Sequence, residues 1–166
     1  TIYDVIFSAQ TGPWNLNTTW VGGVVPTAFN SVVIDSNHTV TTAGTTTIDN
    51  ITIRPTATLD SRSDRFAVNG NYTLNGRHIG SGNNNVWLQG PDAIIDGTGD
   101  YDHTGYMFVR VGNKTVAASA DLDIAMDIRI NSNLVVTNYG RVNVGDDLQY
   151  GNANARWTNE AKSTLG

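Results

Sequence analysis

The chain has 166 residues, enough for one domain with its own core, and its 15 acidic and 10 basic side chains give a net charge of −5. Threonine, asparagine and glycine occupy 57 of the 166 positions, whereas lysine, glutamate, glutamine and methionine are scarce. This composition favours strands and tight turns, so it excludes a helical bundle and argues against a Rossmann-type fold. The sequence has no basic cluster suited to nucleic acid and no apolar run near the ~20 residues of a membrane span, and the lack of cysteine excludes disulfides and thiolate metal sites.

The first predicted element is an aromatic segment near the amino terminus, which contains Trp14 and Trp20. A glycine pair allows a tight turn after this segment, and Pro26 fixes the backbone entering the first strand. A stack of β coils needs such a cover, because an open end exposes apolar side chains and strand edges. The sequence therefore predicts a cap over residues 1–30.

The next predicted region, residues 31–150, consists of short apolar clusters separated by glycine, asparagine, aspartate and serine. The clusters recur about every eight to ten residues, which is the rhythm of strands and turns in an all-β domain. No segment of comparable length shows a helical stripe, so we predict strands and turns throughout this body. Residues 151–166 form a predicted tail or second cap, with one helical turn at 159–162 and Trp157 or another chain over the second end.

The clearest alternation lies at residues 121–130, which predicts one half-buried strand. Its inward set comprises Leu122, Ile124, Met126, Ile128 and Ile130, and its outward set includes Asp121, Asp123 and Asp127. Over the whole body, the predicted core comprises Ile34, Ile51, Ile53, Val68, Leu74, Leu88, Ile95, Val109, Ile124, Ile128, Val135 and Val144.

Two architectures fit this pattern. A parallel β-solenoid stacks coils of about 20 residues, and asparagine and threonine side chains can bond along its stack. An antiparallel β-sandwich or jelly roll joins its strands by hairpins, which the dipeptides Asn69-Gly70, Asn75-Gly76 and Asp96-Gly97 favour. No strict repeat decides between them.

Five Asn-x-Ser/Thr triplets, at Asn17, Asn37, Asn50, Asn71 and Asn113, are interpreted as products of composition.

Residues 11–42, TGPWNLNTTWVGGVVPTAFNSVVIDSNHTVTT, are the most specific stretch of the sequence. The run from Trp14-Asn15 through Thr18-Thr19-Trp20 to Gly22–Ala28 resembles an amino-terminal plug of bacterial and phage surface proteins. In those proteins the plug precedes a pectate-lyase-like right-handed parallel β-helix, and residues 48–60 resemble a further coil. The resemblance implies an all-β right-handed parallel β-helix with an amino-terminal cap and an extracellular, cell-surface or virion location. It implies no activity, because such helices carry lyases, hydrolases, adhesins and fibre parts.

The densest group of carboxylates is the stretch DGTGDYDH, which contains Asp96, Asp100 and Asp102. Oxygen ligands of this kind suit Ca²⁺, so these three residues are a candidate calcium site, and no other cofactor is predicted. Glycoside hydrolysis also needs paired carboxylates. Of the strings typical of polygalacturonase-like enzymes, only the adjacent pair Asp146-Asp147 is present. We therefore predict that the chain is not an enzyme.

Exposed aromatic side chains can stack on sugar rings, and Trp87, Tyr101 and Tyr106 are the candidate glycan contacts. The first functional hypothesis is a non-enzymatic structural or adhesive module of a phage virion protein (a fibre, spike or decoration protein) or of a bacterial surface protein. Its expected partners are other protein subunits, including copies of itself, and a glycan. The alternative hypothesis is a carbohydrate-active or carbohydrate-binding domain acting on polysaccharide.

Overall fold

The computed structural model describes residues 4–81, 85–160 and 164–166. It is an all-β parallel solenoid of about six turns, in which each full coil contributes one strand to each of three sheets. Sheets 1 and 2 contain eight strands each, and sheet 3 contains six. Among the described residues no helix is long and apolar enough to cross a membrane.

The strands follow one another around the coil in chain order. The chain begins with β1 (Val5–Phe7) and β2 (Gly12–Pro13), followed by two 3₁₀ turns, η1 (Asn17–Thr19) and η2 (Val21–Gly23). The six full coils are β3 (Ser31–Ile34), β4 (Thr39–Thr41) and β5 (Thr46–Ile48); β6 (Ile51–Ile53), β7 (Thr58–Asp60) and β8 (Phe66–Val68); β9 (Tyr72–Leu74), β10 (Arg77–Gly80) and β11 (Val86–Leu88); β12 (Ala93–Asp96), β13 (Asp100–His103) and β14 (Met107–Val109); β15 (Lys114–Val116), β16 (Asp121–Ile124) and β17 (Ile128–Ile130); and β18 (Val135–Asn138), β19 (Arg141–Val144) and β20 (Leu148–Tyr150). A last partial coil adds β21 (Arg156–Asn159) to sheet 1 and β22 (Thr164–Leu165) to sheet 2.

The strand pairs of the described chain are all parallel, which confirms the solenoid and excludes the antiparallel sandwich. The dipeptides Asn69-Gly70, Asn75-Gly76 and Asp96-Gly97 lie at corners between sheets and make no hairpins. Gly97 has φ +117°, and a Cβ there would lie 2.0 Å from the carbonyl oxygen of Leu74, so the close stacking of coils requires glycine at this corner. Turn residues therefore mark corners as well as hairpins, which is why they favoured the wrong alternative.

Coil length varies, and this variation hides the repeat in the sequence. Residues paired in adjacent coils are 19 apart at Val32 and Ile51, 21 apart at Ala93 and Lys114, and 23 apart at His78 and Tyr101. The corners absorb the extra residues while the strands stay in register. A fixed period is therefore absent from the sequence although the coils stack regularly.

A single apolar core runs through the interior of the coils. Ten of the twelve predicted core residues are buried, whereas Val135 and Val144 are only half-buried. In β18 the inward position falls on Val136, which pairs with Lys114 in the coil before. Val144 is the last residue of β19. The next strand, β22, pairs only with the first two residues of β19 and so does not extend over Val144. The alternation of β18 and the end of the stack thus explain both errors.

Residues 121–130 form two strands in different sheets, where the alternation predicted one. β16 belongs to sheet 2 and β17 to sheet 3, with a corner at 125–127. The alternation places inward residues on both sides of the corner, so it does not reveal the bend. Asp127, predicted to face outward, is 5 % exposed. Its carboxylate accepts the backbone N–H of Asp147 at 2.9 Å and a side-chain N–H of Gln149, which compensates the buried charge.

An asparagine ladder forms at the corner between sheet 3 and sheet 1. The side-chain oxygens of Asn50, Asn71 and Asn113 accept backbone N–H groups of the next coil at 2.7, 2.8 and 2.9 Å. After each of these asparagines comes an inward residue and then an outward threonine, because the strand alternates. Three of the five Asn-x-Ser/Thr triplets are therefore a consequence of the solenoid register.

Large aromatic side chains lie at both ends of the core. Trp14 and Trp20 are buried in edge-to-face contact, with ring centroids 4.8 Å apart, and the indole of Trp20 donates to the carbonyl oxygen of Trp14. Trp157 packs against the other end of the core and stays partly exposed.

Asn159, at the start of the predicted helical turn, ends β21, and residues 161–163 lie outside the described part of the chain. The handedness of the coil and the division into caps and body stay predictions.

Candidate functional site

The three aspartates of the candidate calcium site lie on two different sheets. Asp96 ends β12 in sheet 1, and its carboxylate accepts the N–H of Gly97 at 2.8 Å and the hydroxyl of Ser119 at 2.9 Å. Asp100 and Asp102 lie on β13 in sheet 2. The described residues contain no group of three or more His, Asp or Glu side chains placed to hold a metal ion. The geometry therefore gives the calcium hypothesis no support.

An acidic groove of about 340 Å³ runs across sheet 2. Asp100, Asp102 and Asp123 line it, but Asp102 pairs with Arg77 at 2.5 Å and Asp123 accepts the amide of Asn143 at 2.6 Å. The groove thus brings carboxylates together, yet their own neighbours already bind two of the three.

Tyr101, a predicted glycan contact, is fully buried and cannot meet a ligand at the surface. Its ring stacks on His103 with centroids 5.5 Å apart, and its hydroxyl donates to the carbonyl oxygen of Gly105 at 3.0 Å. The residue pairs with His78 in the coil before, so the inward row of sheet 2 carries aromatic and imidazole rings in successive coils. This row is not visible in the sequence, because His78 and Tyr101 are 23 residues apart.

The buried imidazoles are held by polar partners inside the core. His78 has Tyr72 Oη 2.8 Å from Nδ1 and Ser61 Oγ 3.0 Å from Nε2. Burial, together with the neighbouring His103, lowers the pKa of His78 well below its ordinary value. Burial also lowers the pKa of His103, whose Nδ1 accepts the Gly105 N–H at 2.7 Å and whose Nε2 is buried without a partner. This cluster has no access to solvent, so we assign it a structural role.

Sheet 3 presents an outward row of a different kind. Trp87, Phe108 and Arg129 are paired neighbours in successive coils, each at the central outward position of its strand. Alternation places them there because the flanking residues, such as Val86 and Leu88, are buried. Arg65 and Tyr106 immediately precede two strands of this sheet, and Arg110 immediately follows one. We call this surface the arginine–aromatic strip; it comprises Arg65, Trp87, Tyr106, Phe108, Arg110 and Arg129.

The arginines of the strip lie over its aromatic rings. The guanidinium carbons of Arg65 and Arg110, from the coils before and after Trp87, lie 4.2 and 3.9 Å from the centre of its ring. Arg129 lies 5.5 Å from the ring of Tyr106 and 5.8 Å from that of Phe108. These distances are within the range of cation–π attraction. The strip is therefore a set of stacked guanidinium groups on an aromatic base.

The charges of the strip have no partner within the described chain. The ion pairs found among the described residues join Arg54 to Asp35, Arg77 to Asp102, and Arg141 to Asp121. None involves a strip arginine. The Nε atom of Arg65 and the indole nitrogen of Trp87 are also buried without a hydrogen-bond partner. The strip thus concentrates uncompensated positive charge on an acidic protein.

Sequence reasoning found Trp87 and Tyr106 in this strip and missed its arginines and Phe108. These residues are far apart in the sequence, so no basic cluster was visible there. A 21-residue period would have revealed part of the strip, because Trp87, Phe108 and Arg129 follow one another at that spacing.

Comparison of the chain with protein-family models, with curated proteins and with solved structures found no match.

Proposed function

We propose that this chain is a non-enzymatic structural or adhesive module of a virion or bacterial surface assembly and that it binds glycan through the arginine–aromatic strip. The observation that carries the proposal is the strip itself. Three arginines without carboxylate partners lie side by side over aromatic rings on one sheet. Guanidinium groups that have no carboxylate partner keep their N–H donors for a ligand with acceptor oxygens.

The fold suits a module that holds a binding face rigidly. Parallel strands bond each coil to the next, and one continuous core fills the interior. The outward side chains of sheet 3 therefore keep fixed positions relative to one another. Binding sites built on strands are more exactly positioned than those on loops, and preorganised side chains lose less entropy on binding.

The proposed location of the module rests on the sequence resemblance at residues 11–42. That resemblance supports a right-handed β-helix with an amino-terminal cap, in a protein located outside the cell or on a virion. Other subunits of the same assembly, including copies of this chain, are the proposed protein partners. The exposed apolar side chains Val21, Val24 and Phe29 near the amino terminus are available for such contacts.

The proposal is tested by measuring retention of the purified chain on immobilised polysaccharides. We expect binding that is lost in the double variant Arg110→Gln, Arg129→Gln and retained in Arg54→Gln, whose arginine pairs with Asp35 on another face. Incubation should leave the polysaccharide chain length unchanged. Failure to bind any polysaccharide, or equal loss in the control variant, would contradict the glycan-binding role.

A second candidate, a carbohydrate-active enzyme, is favoured by the groove on sheet 2. Asp100 and Asp123 are paired neighbours in adjacent coils and line the same groove, as two catalytic carboxylates would. The groove contains no exposed aromatic ring, since its one aromatic lining residue, Tyr101, is buried. Release of reducing ends that disappears in Asp100→Asn would establish this alternative over the first.

A further inference from the structure

We infer that the arginine–aromatic strip selects glycans that carry anionic groups, carboxylate or sulfate, over neutral sugars. This inference rests on the proposed glycan-binding function and narrows its ligand class. It also revises the role of Trp87, from a stacking platform to a support for guanidinium groups.

Guanidinium groups already lie over the aromatic rings of the strip. A neutral sugar binds an aromatic side chain by laying its apolar face on the ring. At Trp87 the guanidinium carbons of Arg65 and Arg110 lie about as close to the ring centre as a stacked sugar would, at 4.2 and 3.9 Å. The ring of Phe108 has Arg110 at 5.4 Å and Arg129 at 5.8 Å. A neutral sugar would have to displace these cations from the rings. An anion can instead accept hydrogen bonds from the N–H groups at the edges of the guanidinium groups.

Guanidinium groups stacked on the rings still present their N–H donors at the edge. A guanidinium group presents five N–H donors in a planar fork, which matches the paired oxygens of a carboxylate or sulfate. Stacking on a ring uses the flat face of the guanidinium and leaves the fork at its edge for a ligand. The indole beneath holds the fork in one orientation, so less side-chain freedom is lost when an anion binds.

Two carboxylates beside the strip, those of Asp64 and Asp127, are held by other donors. Asp64, beside Arg65 in the sequence, accepts the N–H of Gly44 at 2.8 Å and the hydroxyl of Thr42 at 3.2 Å. Asp127, at the edge of the same sheet, is buried and accepts two N–H groups of the following coil. Both carboxylates therefore have donors of their own and leave the strip arginines for an external anion.

The strip runs along the solenoid axis. Its central residues occupy three consecutive coils, and neighbouring parallel strands are about 4.8 Å apart. Arg65, Arg110 and Arg129 belong to the second, fourth and fifth coils, so their charges are distributed along the solenoid axis. An extended polymer with repeated anionic groups can contact them together, which favours a polysaccharide over a single sugar.

The test uses four polymers: dextran, carboxymethyl-dextran, dextran sulfate and poly-L-glutamate. The first three share one sugar backbone and carry no anionic group, carboxylate groups and sulfate groups, respectively, and the fourth carries carboxylates without sugar. We expect the two charged dextrans to bind at least tenfold more tightly than dextran and poly-L-glutamate, with affinity falling as salt is raised. Comparing the two charged dextrans shows whether carboxylate or sulfate is preferred.

The variants separate charge from guanidinium geometry. Arg110→Gln and Arg129→Gln should each lose about tenfold in affinity for the preferred charged dextran, as expected for one charge-assisted contact. Arg110→Lys keeps the charge and loses the planar fork, so it should recover only part of the loss. The control is Arg54→Gln, because Arg54 also lies over a ring, 5.6 Å from that of Phe7, but has Asp35 as its partner. A melting temperature near that of the wild type establishes that each variant is folded.

Tight binding of the charged dextrans alone would support selection for anionic glycans. Dextran binding as tightly as its charged derivatives would overturn it while leaving glycan binding intact. Poly-L-glutamate binding as tightly as the charged dextrans would overturn it together with the glycan-binding function, because the strip would then bind anions with or without sugar. Binding of no polymer would remove both, and an equal loss in Arg54→Gln would show that net charge, rather than the strip, attracts the ligand.

Discussion

Lowering the pH from 7 to 5 should destabilise this protein through its buried histidines. His78 is completely buried, and both of its ring nitrogens contact hydroxyl groups in the core. Burial is the main cause of its lowered pKa, and a charge on His103 would lower it further. His103 is also buried, with its pKa lowered chiefly by burial. The fold therefore requires both imidazoles in the neutral form.

The folded and the unfolded chain protonate these histidines at different pH. The unfolded chain protonates its histidines near pH 6.5, whereas the folded chain resists protonation until the pH is well below that value. The free energy of unfolding is thus greatest above pH 6.5 and falls as the pH drops toward the folded-state pKa. One histidine gives a slope of at most about 1.4 kcal/mol per pH unit. If His78 stays neutral in the folded state down to pH 5, its contribution is about 2 kcal/mol, or roughly 4–8 °C in Tm.

The assay is urea denaturation at half-unit steps between pH 5 and 8, with melting curves alongside. His78→Gln removes one titrating group, so its stability should depend less steeply on pH even where its absolute stability is lower. His38→Gln, at a half-buried position, is the matched control and should keep most of the wild-type pH dependence. A stability that is constant from pH 7 to 5, or a slope unchanged in His78→Gln, would refute the reasoning.

Three further substitutions test the packing, each measured as the change in the free energy of unfolding. Gly80→Ala should cost about 1–3 kcal/mol by overpacking, because its Cβ would lie 2.2 Å from the ring of His103. Lys114→Met should cost about 1–3 kcal/mol for each buried carbonyl that loses its donor, since the buried ammonium of Lys114 donates to main-chain carbonyls at the corner between coils. Trp20→Ala should cost about 3–5 kcal/mol as a buried large-to-small change, without altering glycan binding.

The control for these variants is Ile94→Ala, which truncates an outward side chain that is 43 % exposed. It should change the stability by less than about 0.5 kcal/mol. A loss of similar size in Ile94→Ala would mean that the assignment of inward and outward faces is wrong. A neutral Trp20→Ala would show that the buried tryptophan pair does not stabilise the first coil.

Local patterns in the sequence were enough to predict the fold class and most of the core. Inward positions such as Ile34, Leu74 and Val109 were identified because period-two alternation reports which side of a strand is buried. The same pattern failed at Asp127, where a corner interrupts the strand and turns a carboxylate inward. Alternation describes the strand at each residue, but it does not show where one sheet ends and the next begins.

Less of the candidate site was predictable. Trp87 and Tyr106 were chosen as aromatic residues in strand-like surroundings, and both belong to the strip. Tyr101 was chosen on the same grounds and is buried, because its strand places that position inward. Residue type alone could not separate these cases, since the face on which a side chain lies depends on the register of its strand.

The sequence by itself determined that this protein is built of short strands and turns around an apolar interior, because strand and turn preferences and alternation act over a few residues. Only the tertiary structure decided that the strands are parallel and that Arg65, Trp87 and Arg110 meet on one face. These residues come from three different coils, and coil length varies with each corner. Contacts between coils depend on the summed lengths of the corners between them, which no local pattern records.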